Sequence, residues 1–366
     1  MRKLLILLTL LMGWNLIQAE QDWKKNFTWG NPEIASINAM SFGPEGILFI
    51  GDSRNAMVYA IDTKDNKERK KADEISLERI DQQMAEVLGC EADQIVVQDM
   101  VVNPLSKVLY LAVEHAGGTP VLMRLIDGEW DWFALDEVSY SQKAIEGAYS
   151  AEDKDRRGRP LRVWTVSDLA YADGKVLVSG LSNQEFSSTF KQMPFPFEEA
   201  AKDASLEIYH AAHGRYETYA PIKAFTVAHI EGQDQLVAGY TCTPLVLFPM
   251  DQLEEGSHQK GRTVAELGNW NTPVDMIVME KGGESYLLLA NTNRAVMKIK
   301  FSDLEGFSGD LTEPIAQRGG TEGVPFIAMP WVNVLQLDKL DHDKFVMLKR
   351  EANGDLNLVT KGDRWL

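Results

Sequence analysis

Acidic and amide side chains stand where several short apolar runs of this chain begin. Asp99, Asp168 and Asp275 each open such a run, and Asn38 and Asn333 occupy comparable points in two others. Carboxylate and amide oxygens are the ligands that hard cations such as Ca²⁺ prefer, and a bound cation can polarise a lactone or ester carbonyl. Asp and Asn also cap turns by accepting hydrogen bonds from backbone amides. The five residues therefore have two interpretations, a metal site and a set of turn caps.

Two further groups of residues could contribute chemistry near the same place. His115 follows Glu114 at the end of an apolar run, where a histidine could serve as a catalytic base. Four arginines precede the run opened by Asp168, and their guanidinium groups could clamp a carboxylate or phosphate. The alternative is that they neutralise nearby acids in a solvated surface loop. These arginines are Arg156, Arg157, Arg159 and Arg162.

His210 and His213 form a second pair of candidate metal ligands, suited to copper or zinc. On a continuous strand, residues three apart point to opposite faces, so a shared metal would require a turn between them. Without that turn the two residues are edge or core histidines.

The elements that position these residues are recurrent hairpins. In the stretch 167–181, an alternating run, an Asp-Gly turn and a second apolar run predict two paired strands. Similar units begin near residues 36, 99, 224, 275 and 334, and most continue into a third and fourth strand. Small four-stranded sheets at this spacing are typical of β-propeller blades, which bury their faces on one another. We predict an all-β propeller of six blades, with seven as the alternative if one unit is degenerate.

Three segments complete the predicted architecture. The last unit lacks an outer strand, so the β-rich segment 23–29 is predicted to join it and close the ring. Residues 71–89 predict one helical insertion, started by Asp73 and ended by Gly89. The polar and aromatic segment 183–206 is predicted to be a long insertion, either a binding lid or a cover for a blade edge.

The N-terminal sequence and the charge restrict location and partners. Residues 1–19 combine a basic start with a short apolar run, which predicts a signal peptide; the alternative is an uncleaved anchor. Residues 20–366 are then one exported propeller domain, periplasmic or extracellular, without a membrane span. The chain has 37 basic and 54 acidic residues and a formal net charge of −17. Such a charge repels phosphate backbones, so a nucleic-acid partner is not expected.

Several enzyme classes lack their sequence signatures here. The chain contains no Gly-x-Ser-x-Gly, no phosphate-binding Gly-Lys-Ser/Thr loop and no haem-binding Cys-x-x-Cys-His. Cys90 and Cys242 are its two cysteines, and neither lies in a Cys/His cluster. Two cysteines do not make a disulfide framework, so the fold must depend on core packing.

Two resemblances support this interpretation. The segment 42–62 resembles the blades of NHL-type and gluconolactonase-type propellers. A second resemblance covers roughly residues 99–296 and rests on 180–186, 194–197, 207–218, 240–245 and 263–268. These stretches look like a family of secreted bacterial propeller proteins whose activity is not established. The resemblance implies fold and export, and the gluconolactonase-type likeness implies a Ca²⁺ site lined by the residues that open the inner strands.

The sequence thus predicts a binding or scaffold module that takes a small molecule or a periplasmic protein at the channel mouth. The alternative is a Ca²⁺-dependent lactonase or esterase with His115 as base and Ca²⁺ held by Asn38, Asp99, Asp168, Asp275 and Asn333. Whether the protein is an enzyme is left open by these residues.

Overall fold

The computed structural model describes residues 22–115, 117–317 and 319–366. Within them, the strands form six small, mainly antiparallel sheets arranged in a ring, which is a six-bladed β-propeller. The all-β class and the number of blades are therefore confirmed. The predicted signal peptide, residues 1–19, lies outside the described residues. No helix within the described ranges has the length and apolar character needed to cross a membrane.

The first three blades, numbered by the chain order of their innermost strands, contain the following strands from the channel outward. Blade 1 contains Ala39–Phe42, Ile47–Asp52, Met57–Asp62, Val138–Ala144 and Thr28–Gly30. Blade 2 contains Ile95–Val102, Leu109–His115, Thr119–Ile126 and Glu129–Phe133. Blade 3 contains Asp168–Ala172, Lys175–Leu181, Ser188–Pro194, Lys202–His210 and Arg215–Glu217, with His258–Lys260 added in parallel to Lys202–His210.

The remaining three blades follow the same plan. Blade 4 contains Ile222–Ile230, Gln233–Tyr240, Pro244–Pro249, Arg262–Glu266 and Glu322–Gly323. Blade 5 contains Pro273–Lys281, Glu284–Asn291, Met297–Lys300 and Ile327–Ala328. Blade 6 contains Val334–Asp341, Lys344–Arg350, Leu356–Gly362 and Ser76–Leu77.

The order of blades around the ring differs from their order along the chain. The apolar cores lie between neighbouring blades, and each joins one pair. These cores join blades 1 and 2, 1 and 3, 3 and 4, 4 and 5, 5 and 6, and 6 and 2. The ring order is therefore 2, 1, 3, 4, 5, 6, and blade 2 closes the ring against blade 6.

Two strands are supplied to blades from distant parts of the chain. Val138–Ala144 follows blade 2 in sequence but pairs with Met57–Asp62 in blade 1. Ser76–Leu77 precedes blade 2 but pairs with Leu358 and Val359 as the outer strand of blade 6. An N-terminal strand thus completes the last blade, as predicted, but the choice of the segment 23–29 was wrong. Thr28–Gly30 pairs with Val138–Ala144 instead and is the outermost strand of blade 1.

The connection from blade 1 to blade 6 runs across the hairpin end of blade 2 and is fixed there by Asp65. Its Oδ2 accepts hydrogen bonds from Asn103 Nδ2 at 3.0 Å, Ser106 Oγ at 2.6 Å and Tyr110 Oη at 3.1 Å. Farther along, the amide of Ala72 donates to Asp341 Oδ2. This path delivers Ser76–Leu77 to the edge of blade 6.

The helical and insertion predictions need adjustment. The helix α1 spans Ile80–Leu88 and ends at Gly89, as predicted, but residues 76–77 are strand and Asp73 does not cap it. Helix α1 buries Ile80 and Met84 in the core between blades 2 and 6. A second helix, α2, spans Phe301–Gly306.

The segment 183–206 contains two strands of blade 3 rather than a lid, so that prediction was wrong. Ser188–Pro194 pairs with Lys175–Leu181, and Lys202–His210 pairs with Ser188–Pro194. The segment carries many polar residues because part of its surface faces solvent or other polar groups, which hides the strand pattern. Short 3₁₀ turns lie at Pro44–Gly46, Ala92–Gln94, Arg162–Trp164, Met250–Gln252 and Asp363–Trp365.

Candidate functional site

The innermost strands of the six blades surround a central channel that contains a cavity of about 710 Å³. Asp341 lines this cavity at the hairpin end of blade 6, and four further aspartates line it from four different blades: Asp99, Asp168, Asp275 and Asp338. We call these four the carboxylate ring. A β-bulge immediately precedes Asp99 and Asp275 in their strands, and a bulge changes the direction in which the following side chain points. The fold thereby gathers acids that lie as much as 239 positions apart in the chain.

Each carboxylate of the ring binds the backbone of the next blade. One oxygen accepts a hydrogen bond from an amide of the neighbouring innermost strand. A hydroxyl does the same in blade 1, where Ser41 Oγ accepts from the amide of Tyr171 at 3.0 Å. The four aspartate contacts are Asp99 to Met40 at 2.6 Å, Asp168 to Phe225 at 2.8 Å, Asp275 to Leu337 at 2.6 Å and Asp338 to Val102 at 2.6 Å.

These contacts correct the turn-cap interpretation in one respect. The aspartates do bind backbone amides, as that alternative stated. One kind of bond is local, as in the 2.8 Å bond that the amide of Leu169 donates to Oδ1 of the preceding Asp168. The other kind comes from an amide of the adjacent blade, which the turn-cap interpretation did not include. The ring therefore fastens blades to one another around the channel.

Burial makes the ring difficult to ionise. It raises the pKa of Asp168 and of Asp338 to about 7 in each case, against the hydrogen bonds that favour the charged form. Burial also raises the pKa of Asp99 and Asp275 well above the usual range, and the charges of the other ring members raise them further. Near neutral pH the ring consequently holds fewer than four negative charges and can gain or lose protons there.

Lys223 lies beside Asp168, and Lys107 and Lys339 line the cavity itself. The charge of Lys339 opposes the effect of burial on the pKa of Asp338. Burial lowers the pKa of Lys223 to about 8, and the negative charge of Asp168 opposes that effect. The Lys223 Nζ atom sits 4.0 Å from the centre of the Trp164 ring. Lys223 is not among the residues that line the cavity, so it moderates the charge of Asp168 from behind the cavity wall.

The cavity extends from the ring toward the hairpin ends of the innermost strands. Its wall there includes Pro104, Lys107 and His342, which lie in or beside those hairpins. The site predicted from the sequence was at the opposite mouth of the channel, where the innermost strands begin. His115 pairs with Ile95 at that strand-entry end and does not line the cavity.

The two predicted amide ligands lie apart from the carboxylate ring. Asn38 Oδ1 accepts hydrogen bonds from Ser36 Oγ and from the amide of Ser53, and Asn333 is exposed. Ca²⁺ binds oxygens at about 2.3–2.6 Å, so the ligands of one ion lie within about 5 Å of one another. Among the described residues, the ring carboxylates are not a group whose ligand atoms come within 4.8 Å. The present spacing suits a ligand larger than a bare ion.

The four arginines of the predicted clamp have different surroundings: one holds two segments of the chain together, and the others lie at the surface. Arg162 donates to the carbonyl oxygens of Ser53 at 2.7 Å and Tyr149 at 2.6 Å, and so joins blade 1 to the loop before blade 3. Arg159 pairs with Asp155 at 2.7 Å on the surface. Arg156 and Arg157 are exposed and do not line the cavity.

Sequence reasoning found three members of the ring and missed Asp338. In blade 2, the amide that donates a hydrogen bond to Asp338 of blade 6 belongs to Val102, three residues after Asp99. In blade 6, the corresponding amide, which donates to Asp275, belongs to Leu337, immediately before Asp338. The acid thus lies three residues before the donor amide in blade 2 but one residue after it in blade 6. A search for an acid at the start of each strand detects only the first of these positions. Asp338 could have been recognised by comparing, strand by strand, which residues on the channel face are polar.

Comparisons with known proteins identify no family and only distant structural likenesses. No protein-family model matches the chain, and no curated protein matches it. The chain is similar to a chain of the mitotic checkpoint complex at 11% identity, 99% coverage of each chain and a TM-score of 0.38. It is also similar to the arabinanase Arb43A of Bacillus subtilis, at 13% identity, 72% and 93% coverage and a TM-score of 0.38.

A third similar structure is a putative oxidoreductase (glucose dehydrogenase) of Thermus thermophilus. It shares 11% identity over 92% of this chain and 100% of that one, with a TM-score of 0.34. Likenesses this distant carry no argument about what the present chain binds or catalyses.

Proposed function

We propose that the protein is a binding module whose central channel holds a small molecule with a positively charged group. The observation that carries this proposal is the carboxylate ring facing one cavity of about 710 Å³. Cavities that bind small molecules typically measure about 300–1,000 Å³ and combine apolar walls with a few convergent polar groups. Here apolar residues such as Leu169 and Ile277 line the cavity together with the acids.

The charge of the site favours a cation as the ligand. An ionised carboxylate offers about four lone-pair sites, and the backbone amides occupy only some of those on each ring aspartate. An ammonium group can take the remaining positions and offset the burial of the negative charge. The formal net charge of −17 also attracts cations toward the molecule.

The shape of the site favours a small molecule over a protein partner. The ring lies inside a channel formed by six innermost strands, so a protein could reach it only by inserting a narrow segment. We further propose that the protein acts after export, and the support is the N-terminal pattern of residues 1–19. Fractionation of cells that express the full chain would test the export proposal, and retention in the cytoplasm would contradict it.

Calorimetric titration with alkylamines, diamines and quaternary ammonium compounds tests the proposal, with carboxylic acids of equal size as controls. At pH 8, Asp168→Asn should weaken amine binding about tenfold or more, since the pKa of Asp168 is about 7 and the substitution removes its charge while it keeps a hydrogen-bond acceptor. Asp73→Asn makes the same charge change at a side chain that is 95% exposed, and it should leave binding unchanged. Equal binding by the two variants, or a preference for the acids, would refute the proposal.

Binding should also depend on pH with a definite sign. The carboxylates of Asp168 and Asp338 become charged as the pH rises through about 7, so amine affinity should increase between pH 6 and pH 8. An affinity that stays constant or falls over this range would contradict a role for these groups.

A Ca²⁺-dependent lactonase or esterase stays the alternative prediction. Its test is hydrolysis of a lactone panel with and without chelator, by the wild type and by Asp99→Asn and Asp168→Asn. Activity that disappears with chelator and with either substitution would favour the enzyme over the binding module. The anion-binding prediction for Arg156 and Arg157 is tested in the same titrations by the carboxylic acids.

A further inference from the structure

A second cluster of polar residues lies at the outer edge of blade 3, away from the channel. It is formed by the hairpin that joins Lys202–His210 to Arg215–Glu217. His210 ends the first strand, and a turn over residues 211–214 follows it. The turn brings His213 back beside His210, with the two ring centroids 3.7 Å apart. This is the turn without which the two histidines would point to opposite faces.

Glu217 lies between the two histidines. Its Oε2 is 3.1 Å from His210 Nδ1, and its Oε1 is 2.8 Å from His213 Nδ1. The side chains of His210 and Glu217 are 2% and 4% exposed, whereas that of His213 is 36% exposed. Two imidazole nitrogens and one carboxylate therefore converge at a place that is buried on the side of His210 and exposed on the side of His213.

Two buried atoms near this cluster have no hydrogen-bond partner among the described residues. They are His210 Nε2 and Glu266 Oε2. The other oxygen of Glu266 accepts from the amide of Ala212, in the turn between the two histidines, at 3.1 Å. Buried polar atoms without partners are rare, so these two atoms mark unfilled hydrogen-bonding positions beside the turn. His210 Nε2 lies on the ring edge away from the Nδ1 atom that faces Glu217.

We propose that His210, His213 and Glu217 bind a divalent transition metal ion, with Zn²⁺ as the ion that fits best. Zn²⁺ binds imidazole nitrogen and carboxylate oxygen at about 2.0–2.2 Å, which separates tetrahedral ligand atoms by about 3.3–3.5 Å. The three ligand atoms lie within 4.8 Å of one another, and the shorter separations need to open by only a few tenths of an ångström. Three protein ligands leave the fourth position for water or a substrate atom.

Neighbouring groups fix the orientation of Glu217. Arg215 Nε donates to its Oε1 at 3.0 Å, and Tyr219 Oη donates to the same oxygen at 3.4 Å. These donors hold Oε1, so Oε2, which contacts His210 Nδ1, is the oxygen that would bind the metal while His213 turns toward the ion. Hydrogen-bonded partners of this kind orient metal ligands and increase metal affinity.

Titration of the EDTA-treated full-length protein with Zn²⁺ tests the site. We expect one ion per chain and, at a hundredfold excess over Kd, a rise in Tm of about 3 °C. His213→Ala removes the most exposed ligand and should weaken binding about a hundredfold. His229→Ala is the matched control, since His229 Nδ1 lies 2.9 Å from Asp234 Oδ1 on the surface in a similar pair, and it should bind as the wild type does.

Two further measurements guard against a misfolded variant. Co²⁺ bound by the wild type should give the visible absorption of a tetrahedral site, and Glu217→Gln should abolish it. Absence of Zn²⁺ binding by the wild type, unchanged binding by His213→Ala, or Co²⁺ without that absorption would overturn the proposal. None of these outcomes depends on amine binding in the channel, so the two proposals can fail separately.

Discussion

Replacing Asp338 by asparagine should change the free energy of unfolding, relative to the wild type, in a pH-dependent way. The variant should gain stability over the wild type when the pH is raised from 5 to 8. Asp338 fastens blade 6 to blade 2 through a 2.6 Å hydrogen bond from the amide of Val102. Burial raises its pKa from the usual 3.8 to about 7. Asparagine keeps an acceptor at the same place and carries no charge, so the substitution isolates the cost of ionising this buried group.

The sign follows from proton binding. Between pH 3.8 and about 7 the folded protein binds more protons at this site than the unfolded chain does, so the free energy of unfolding decreases as the pH rises. Integrating from pH 5 to pH 8 gives a loss of about 3 kcal/mol in the wild type, which the asparagine variant lacks. For a chain of 366 residues, this difference corresponds to about 4 °C in Tm.

The assay is chemical or thermal unfolding of wild type and Asp338→Asn at both pH values. If the substitution weakens the hydrogen bond from Val102, it lowers the stability of the variant at both pH values. This effect cancels when the difference between variant and wild type at pH 5 is subtracted from the difference at pH 8. Asp73→Asn serves as the exposed control and should show no such difference. If Asp338→Asn is destabilised equally at pH 5 and pH 8, or more at pH 8, the carboxylate is not costly when ionised and the reasoning is refuted.

Two other substitutions test how the blades are held together. Asp65→Ala should lower the free energy of unfolding by about 3 kcal/mol, because three donors of blade 2 lose their acceptor, and urea denaturation would measure it; a loss below about 0.5 kcal/mol would contradict this anchoring role. Gly180→Ala should cost about 2 kcal/mol or more, since a Cβ there would lie 2.2 Å from the carbonyl oxygen of Thr165, which the backbone holds in place. Gly306→Ala, with no atom within 4 Å of the added carbon, is its control and should change stability by less than about 0.5 kcal/mol.

The hairpins were predictable because they depend on local sequence. In the stretch 167–181, the Asp173-Gly174 turn adopts positive φ at both residues, and the two strands pair in the register that the alternation implies. The order of the blades was not predictable in this way. Val138–Ala144 and Met57–Asp62 pair across a complete blade, and no alternation within either strand encodes its partner.

The candidate site shows the same division. Asp99, Asp168 and Asp275 could be singled out because each opens an apolar run, whereas their shared cavity depends on six strands meeting at one axis. The His210 and His213 pair could be named from spacing alone. Its partner Glu217 could be recognised only once the turn between the histidines was known, because a turn reverses the face to which later residues point.

The charge of the ring is not needed to fasten the blades. Ser41 binds the amide of Tyr171 at 3.0 Å with a neutral hydroxyl, so an uncharged side chain suffices at the boundary between blades 1 and 3. Four boundaries nevertheless carry aspartates whose ionisation burial opposes. If the acids served stability alone, asparagine, serine or threonine would serve better near neutral pH. We therefore expect Asp168→Asn and Asp338→Asn to increase stability at pH 8 while they weaken amine binding, and variants that lose stability but bind amines as the wild type does would show that the acids are structural.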